Sequence, residues 1–121
     1  MRNQKLQMPT VLGLNGLKIR IKYVDHISEF GLFCPTTKDI LVSTNHHQSR
    51  DHVYETIFHE LLHAALDHAG LSKLCVDISE NFEEAIVTAL EHALKDTVAL
   101  EKTAWLETSS VAFKFKEQDD S

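Results

Sequence analysis

The run His59-Glu60-Leu61-Leu62-His63 constrains this chain more than any other feature, because its chemistry requires a helix. Residues four apart stand one turn apart on a helical face, and Glu60 is turned by about 100° toward the same side. The two imidazoles can therefore reach one point with a carboxylate beside it. The flanks agree: Ser49 before Arg50-Asp51 reads as an N-cap with an acidic first turn, and Gly70 as a C-terminal stop. The spacing predicts a helix over about 50–69. On a helical wheel Val53, Tyr54, Ile57, Phe58, Leu61, Leu62, Ala64 and Ala65 form one broad side. His52, Glu55, Thr56, His59, Glu60, His63 and Asp67 take the other.

Neutral imidazole is the commonest metal ligand, and of the eight histidines in the chain six lie between His46 and His68. Chance alone would give this composition about 0.04 such motifs, so metal chemistry is the preferred reading over a His-rich solvent face. A catalytic zinc takes three protein ligands and leaves a position for water, whose pKa falls to about 7, and a neighbouring carboxylate can accept its proton. Glu60 is the candidate base, His59 and His63 the first two ligands, and one zinc ion the expected cofactor. The same donors would also accept Mn, Co or Ni.

A third ligand must come from elsewhere. Glu80, Glu83 and Glu84 open a predicted second helix, much as thermolysin-like sites place a carboxylate on a following helix. Glu83 has Ile86, Val87, Leu90 and Leu94 on its side of that helix, where an unpaired carboxylate would be costly and a metal would compensate it. Glu84 falls with Thr88 and Glu91 on the polar side. Glu83 is preferred and Glu84 is the alternative. His68, five positions after His63, would point about 140° away from it and reads as solvated or helix-capping. His52 shares the face of the two ligands and is a candidate for lining a cleft. Thr56 and Asp67 could each orient an imidazole, although solvent exposure is the simpler expectation. His46 and His47 read as loop residues.

Elsewhere, residues 1–16 read as a loose lead-in or short helix, with Asn15-Gly16 a turn signal. Leu17–Val24 alternates as a half-buried strand whose Lys18, Arg20 and Lys22 form its solvated face. Two β-prone runs, Phe30–Cys34 and Asp39–Ser43, flank a Pro35–Lys38 turn and predict a hairpin. Residues 71–78 read as a connector, the second helix as running from about 80 to 106 with Phe82, Ile86, Val87, Ala89, Leu90, Ala93, Leu94 and Val98 as its apolar side, and Val111–Lys116 as a short strand before a frayed tail.

A length of 121 residues suits one domain, with a core over about 17–106 and a tail over 107–121. No apolar run approaches the ~20 residues needed to cross a bilayer, and no secretory leader is evident after Met1. A cytoplasmic protein without membrane partners is expected. The net charge of −6 argues against a nucleic-acid partner. Cys34 and Cys75 read as reduced thiols.

The runs Phe30-Gly31-Leu32-Phe33-Cys34-Pro35 to Ile40-Leu41-Val42, Glu55 to Ala64, and Glu83-Glu84-Ala85-Ile86-Val87 together resemble small metallopeptidase-like proteins of the ImmA/IrrE type, often encoded by bacteriophages. The resemblance spans about residues 17 to 95. It departs from many members at Leu62 and Ile86, where they have Gly and Asn, which keeps the related SprT-like group open. It implies a zincin-like α+β fold, with a small antiparallel or mixed sheet of about three strands packed on the active-site helix and a second long helix. It further implies hydrolysis of a protein or peptide substrate, with a repressor as the substrate class, and a hairpin edge, Leu32-Phe33-Cys34 or Ile40-Leu41-Val42, that takes up the peptide in extended form. The alternatives are a metal-stabilised regulatory or binding protein without catalysis and, less favoured, a three-histidine zinc nuclease.

Overall fold

A computed structural model describes residues 2–14, 16–94 and 105–116, and its elements are β1 (Arg2–Leu14), β2 (Leu17–Val24), β3 (Gly31–Cys34), β4 (Asp39–Ser43), α1 (Arg50–His68), α2 (Ser72–Ile78), α3 (Phe82–Leu94) and β5 (Trp105–Phe115). The fold is α+β. Its mixed sheet has the order β3-β4-β2-β1-β5, in which β2 and β4 are parallel and the other pairs antiparallel.

Alternation does what the sequence implied in β2: Ile19 and Ile21 are buried while Lys18, Arg20 and Lys22 face out. Lys22 Nζ pairs with Asp39 of β4 at 3.1 Å. The β3–β4 hairpin also forms as expected, with Lys38 in the left-handed region (φ 61). Because β4 lies between β3 and β2, its hydrogen-bonding edges are both used; among the described residues β3 has no strand on its outer edge. Ser49 caps α1 by accepting from His52 N at 3.2 Å, and Gly70 (φ 76) follows its end.

The sheet has five strands rather than about three: β1 lies wholly outside the expected core of 17–106, and β5 lies mostly outside it. Residues 2–14 form β1 instead of a lead-in or short helix. Its inward residues Leu6, Met8, Leu12 and Leu14 keep a period of two, but the polar Thr10 among them and the apolar Pro9 and Val11 on the other face obscure it, and the pairing with β5 shifts register between Pro9, Val11 and Leu12. Met8 and Pro9 are both buried, and Tyr23 Oη donates to Pro9 O at 2.6 Å. At the other end β5 begins at Trp105, so residues 105–106 belong to a strand and not to the second helix, and residues 107–110 extend the expected short strand. The helix spans Phe82–Leu94; residues 95–104, including Val98, over which the sequence predicts it to run on, and the tail 117–121 lie outside the described residues. The connector 71–78 contains the short helix α2, which leaves Leu74, Val76 and Ile78 exposed.

The core lies between the sheet and α1, where Met8, Leu12, Ile19, Ile40, Val42 and Phe113 meet Val53, Ile57 and Ala64. The opposite side of α1 is not a solvent face either. β3 and α3 pack against it, so that Thr56 and Glu60 are buried to 8% and 9% exposure. Cys34 is half-buried, Cys75 buried, and both are unbridged. Among the described residues no helix is long and apolar enough to cross a membrane.

The segment between β4 and α1 is tied down at several points. Lys114 N donates to Thr44 O (2.7 Å) and Lys116 N to His47 O (3.0 Å), joining it to the end of β5. His47, far from being a loose loop residue, is fully buried. Its Nδ1–H donates to Ser43 O (3.0 Å) and its Nε2 accepts from Thr56 Oγ1 (2.8 Å). Burial, reinforced by the nearby His52 and His46 and opposed by the Ser43 bond, lowers its pKa to about 4. An unfolded imidazole titrates near 6.5, so as pH falls the unfolded chain takes the proton first. Stability from this group is whole above about pH 6.5 and lost toward pH 4, by as much as about 3 kcal/mol. Urea denaturation of metal-free protein across that window is expected to show the loss in the wild type and a flatter profile in His47→Asn. The same slope in both would refute it.

Candidate metal centre

α1 and α3 run side by side in opposite directions, so successive turns of one meet successive turns of the other. His59 lies opposite Glu91, and His63 opposite Glu83. His59 Nδ1 contacts Glu91 Oε2 at 2.9 Å and His63 Nδ1 contacts Glu83 Oε2 at 2.6 Å. The two Nε2 atoms converge on a single carboxylate, with Glu84 Oε1 2.8 Å from His59 Nε2 and Glu84 Oε2 2.9 Å from His63 Nε2. The rings themselves stand 5.1 Å apart, edge to face.

This arrangement assigns different tasks to the two glutamates weighed from the sequence. A carboxylate only accepts, so Glu83 and Glu91 hold a proton on each Nδ1, which leaves each Nε2 lone pair facing Glu84. A lone pair set against a carboxylate oxygen is repulsive unless a proton or a cation lies between them. His59, His63 and Glu84, whose donor atoms all lie within 4.8 Å of one another, could hold one divalent ion. Two imidazoles and one carboxylate are a donor set that catalytic zinc uses, and the residues fit it. The burial argument that favoured Glu83 located the more buried of the pair, with side-chain exposure of 23% against 57% for Glu84. Contact with both ring tips, however, needs a reach across the mouth of the cleft, and the more exposed Glu84 has it.

Glu60 lines the same cleft without touching the cluster through a hydrogen bond. Burial pushes its carboxyl above the ordinary range; Glu84 acts in the same direction, while His63, His59 and the backbone N–H of Phe33 act against it. A carboxylate raised in this way is suited to taking up a proton.

Two cavities of about 440 and 450 Å³ flank the cluster and share Gly31, His59 and Glu60 in their walls. Leu32, Phe33 and Ser72 line the first, and Phe30, His52 and Glu55 the second. His52 thus faces the cleft, as its position on the helix suggested. Thr56 and Asp67 do not orient the imidazoles: Thr56 bonds His47, and Asp67 pairs with Lys38 in the hairpin turn. His68 is exposed and stands outside the cluster. Glu91 was not singled out from the sequence, although its place two turns after Glu84 on the same helical face was a usable signal.

The chain matches no model of a known protein family, no curated protein and no solved structure.

Proposed function

We propose that this chain is a zinc-dependent metallopeptidase, with one ion held by His59, His63 and Glu84 and with Glu60 as the general base. The observation that carries the reading is the convergence of both Nε2 atoms on one carboxylate while each Nδ1 is held by another, next to a buried Glu60. Zinc, when bound, supplies a Lewis acid and makes water acidic enough to lose its proton near neutral pH. Glu60 accepts that proton at its carboxylate and returns it to the departing amine. Glu83 and Glu91 keep the rings in the tautomer and orientation that ligation requires.

The outer edge of β3 supports the substrate class. It runs beside both cavities, and, apart from the Phe33 N–H directed at Glu60, the outward N–H and C=O groups have no strand partner among the described residues and suit an extended peptide, which would lie along Leu32-Phe33-Cys34 past His59 and Glu60. A repressor protein remains the substrate that the ImmA/IrrE-like pattern implies. Purified protein is expected to carry one zinc per chain and to hydrolyse dye-labelled casein, to lose the activity on exhaustive chelation, and to regain it with added zinc. Zinc-loaded protein that hydrolyses neither casein nor a mixed peptide library would overturn the reading.

A further inference from the structure

β3 crosses α1 more closely than two side chains would permit. A Cβ placed on Gly31 would stand 2.6 Å from Thr56 Cγ2, 3.1 Å from Leu41 O and 3.2 Å from Glu60 Cγ. The first separation is shorter than any real carbon contact. Thr56 is poorly placed to yield, because its hydroxyl is bonded to the fully buried His47. Leu41 O belongs to the backbone of β4, which is held by a strand on each side. The parts free to move are the edge strand β3 and the Glu60 side chain. Two residues along the same face of β3, the Phe33 N–H is directed at the Glu60 carboxylate.

We propose that Gly31 is a positioning residue for Glu60: its bare Cα sets the separation of β3 from α1, and that separation keeps the Glu60 carboxylate against the strand and joins the two halves of the cleft. The inference rests on Glu60 being the base. A Cβ at position 31 forces β3 outward, takes the Phe33 N–H away from Glu60 and releases its side chain to other rotamers. None of the three atoms nearest that Cβ belongs to His59, His63 or Glu84, so metal binding is expected to be kept.

The test compares the full chain as wild type, Gly31→Ala, Thr56→Ser and the double variant, each zinc-loaded, by zinc content, melting temperature, and kcat and KM on dye-labelled casein. Gly31→Ala is expected to keep one zinc and to lose about tenfold to a hundredfold in kcat, the scale of an ångström's misplacement, with a smaller change in KM. Thr56→Ser removes the methyl group that the new Cβ strikes and keeps the hydroxyl bound to His47, so adding it to Gly31→Ala should recover part of kcat. A Gly31→Ala protein within twofold of wild-type kcat, or a double variant with no recovery, overturns the proposal. If Gly31→Ala alone does not fold, the double variant against Thr56→Ser decides. The contacts at 3.1 and 3.2 Å that remain predict a several-fold lower kcat, and equal values overturn it. A wild type that binds zinc without turnover defeats the peptidase reading instead. The displacement is then read by NMR, where Gly31→Ala must shift the Thr56 and Glu60 resonances, and unshifted resonances overturn the positioning role.

Discussion

Glu60→Gln is expected to bind zinc as the wild type does and to hydrolyse casein about 10²–10⁴-fold more slowly, the span that a positioned general base contributes. The amide is isosteric with the carboxylate, so the packing of β3 over α1 is kept, and none of the three proposed ligands is altered. It cannot take a proton from water. Removing a carboxylate that burial holds above its ordinary pKa also relieves a desolvation cost, so the variant should melt at the same temperature or higher. Loss of turnover together with loss of zinc would make Glu60 a ligand. Unchanged biological activity alongside absent hydrolysis would favour the regulatory alternative, in which the same scaffold binds a partner without cutting it.

The second large effect separates Glu84 from Glu83 and Glu91. Glu84→Ala removes the carboxylate on which both Nε2 atoms converge and should abolish stoichiometric zinc binding and, with it, turnover. Glu83→Ala and Glu91→Ala each remove the acceptor behind one ring and should weaken zinc affinity by about 10–100-fold while leaving the metal bindable at higher concentration. Metal analysis after dialysis against graded chelator orders the three variants. If Glu83→Ala strips the metal and Glu84→Ala retains it, the assignment drawn from the Nε2 contacts is wrong and the preference read from helix burial is restored.

Much of the centre was legible because it depends on local periodicity. The turn of an α-helix places His59, Glu60 and His63 together whatever the rest of the chain does, and Ser49 and Gly70 bound that helix by capping chemistry that acts within a few residues. The alternation of Leu17–Val24 and the Pro35–Lys38 turn are local in the same sense. Glu83 and Glu84 could be nominated, and helix burial ranked Glu83 first, but their roles turn on which nitrogen of a ring on another helix each one meets. Burial on its own helix is a poor guide to that.

What escaped the sequence was set by contacts between distant segments. β1 was not recognised because Pro9, Thr10 and Val11 obscure the alternation of Leu6, Met8, Leu12 and Leu14, and because most of its pairing is with β5, about a hundred residues away in the chain, with β2 meeting only Val11–Leu14. His47 became a structural residue when Ser43 and Thr56 closed on its two nitrogens. The polar side of α1 became a cleft when β3 and α3 covered it. The sequence by itself thus determined the pair of imidazoles, the acid between them and the helix that carries all three, because hydrogen bonding and side-chain spacing within one helix suffice. The partner of each ring nitrogen and the burial of Glu60 were decided by tertiary structure, as was the close approach at Gly31. Each depends on where a second element comes to rest, and packing across the whole core decides that.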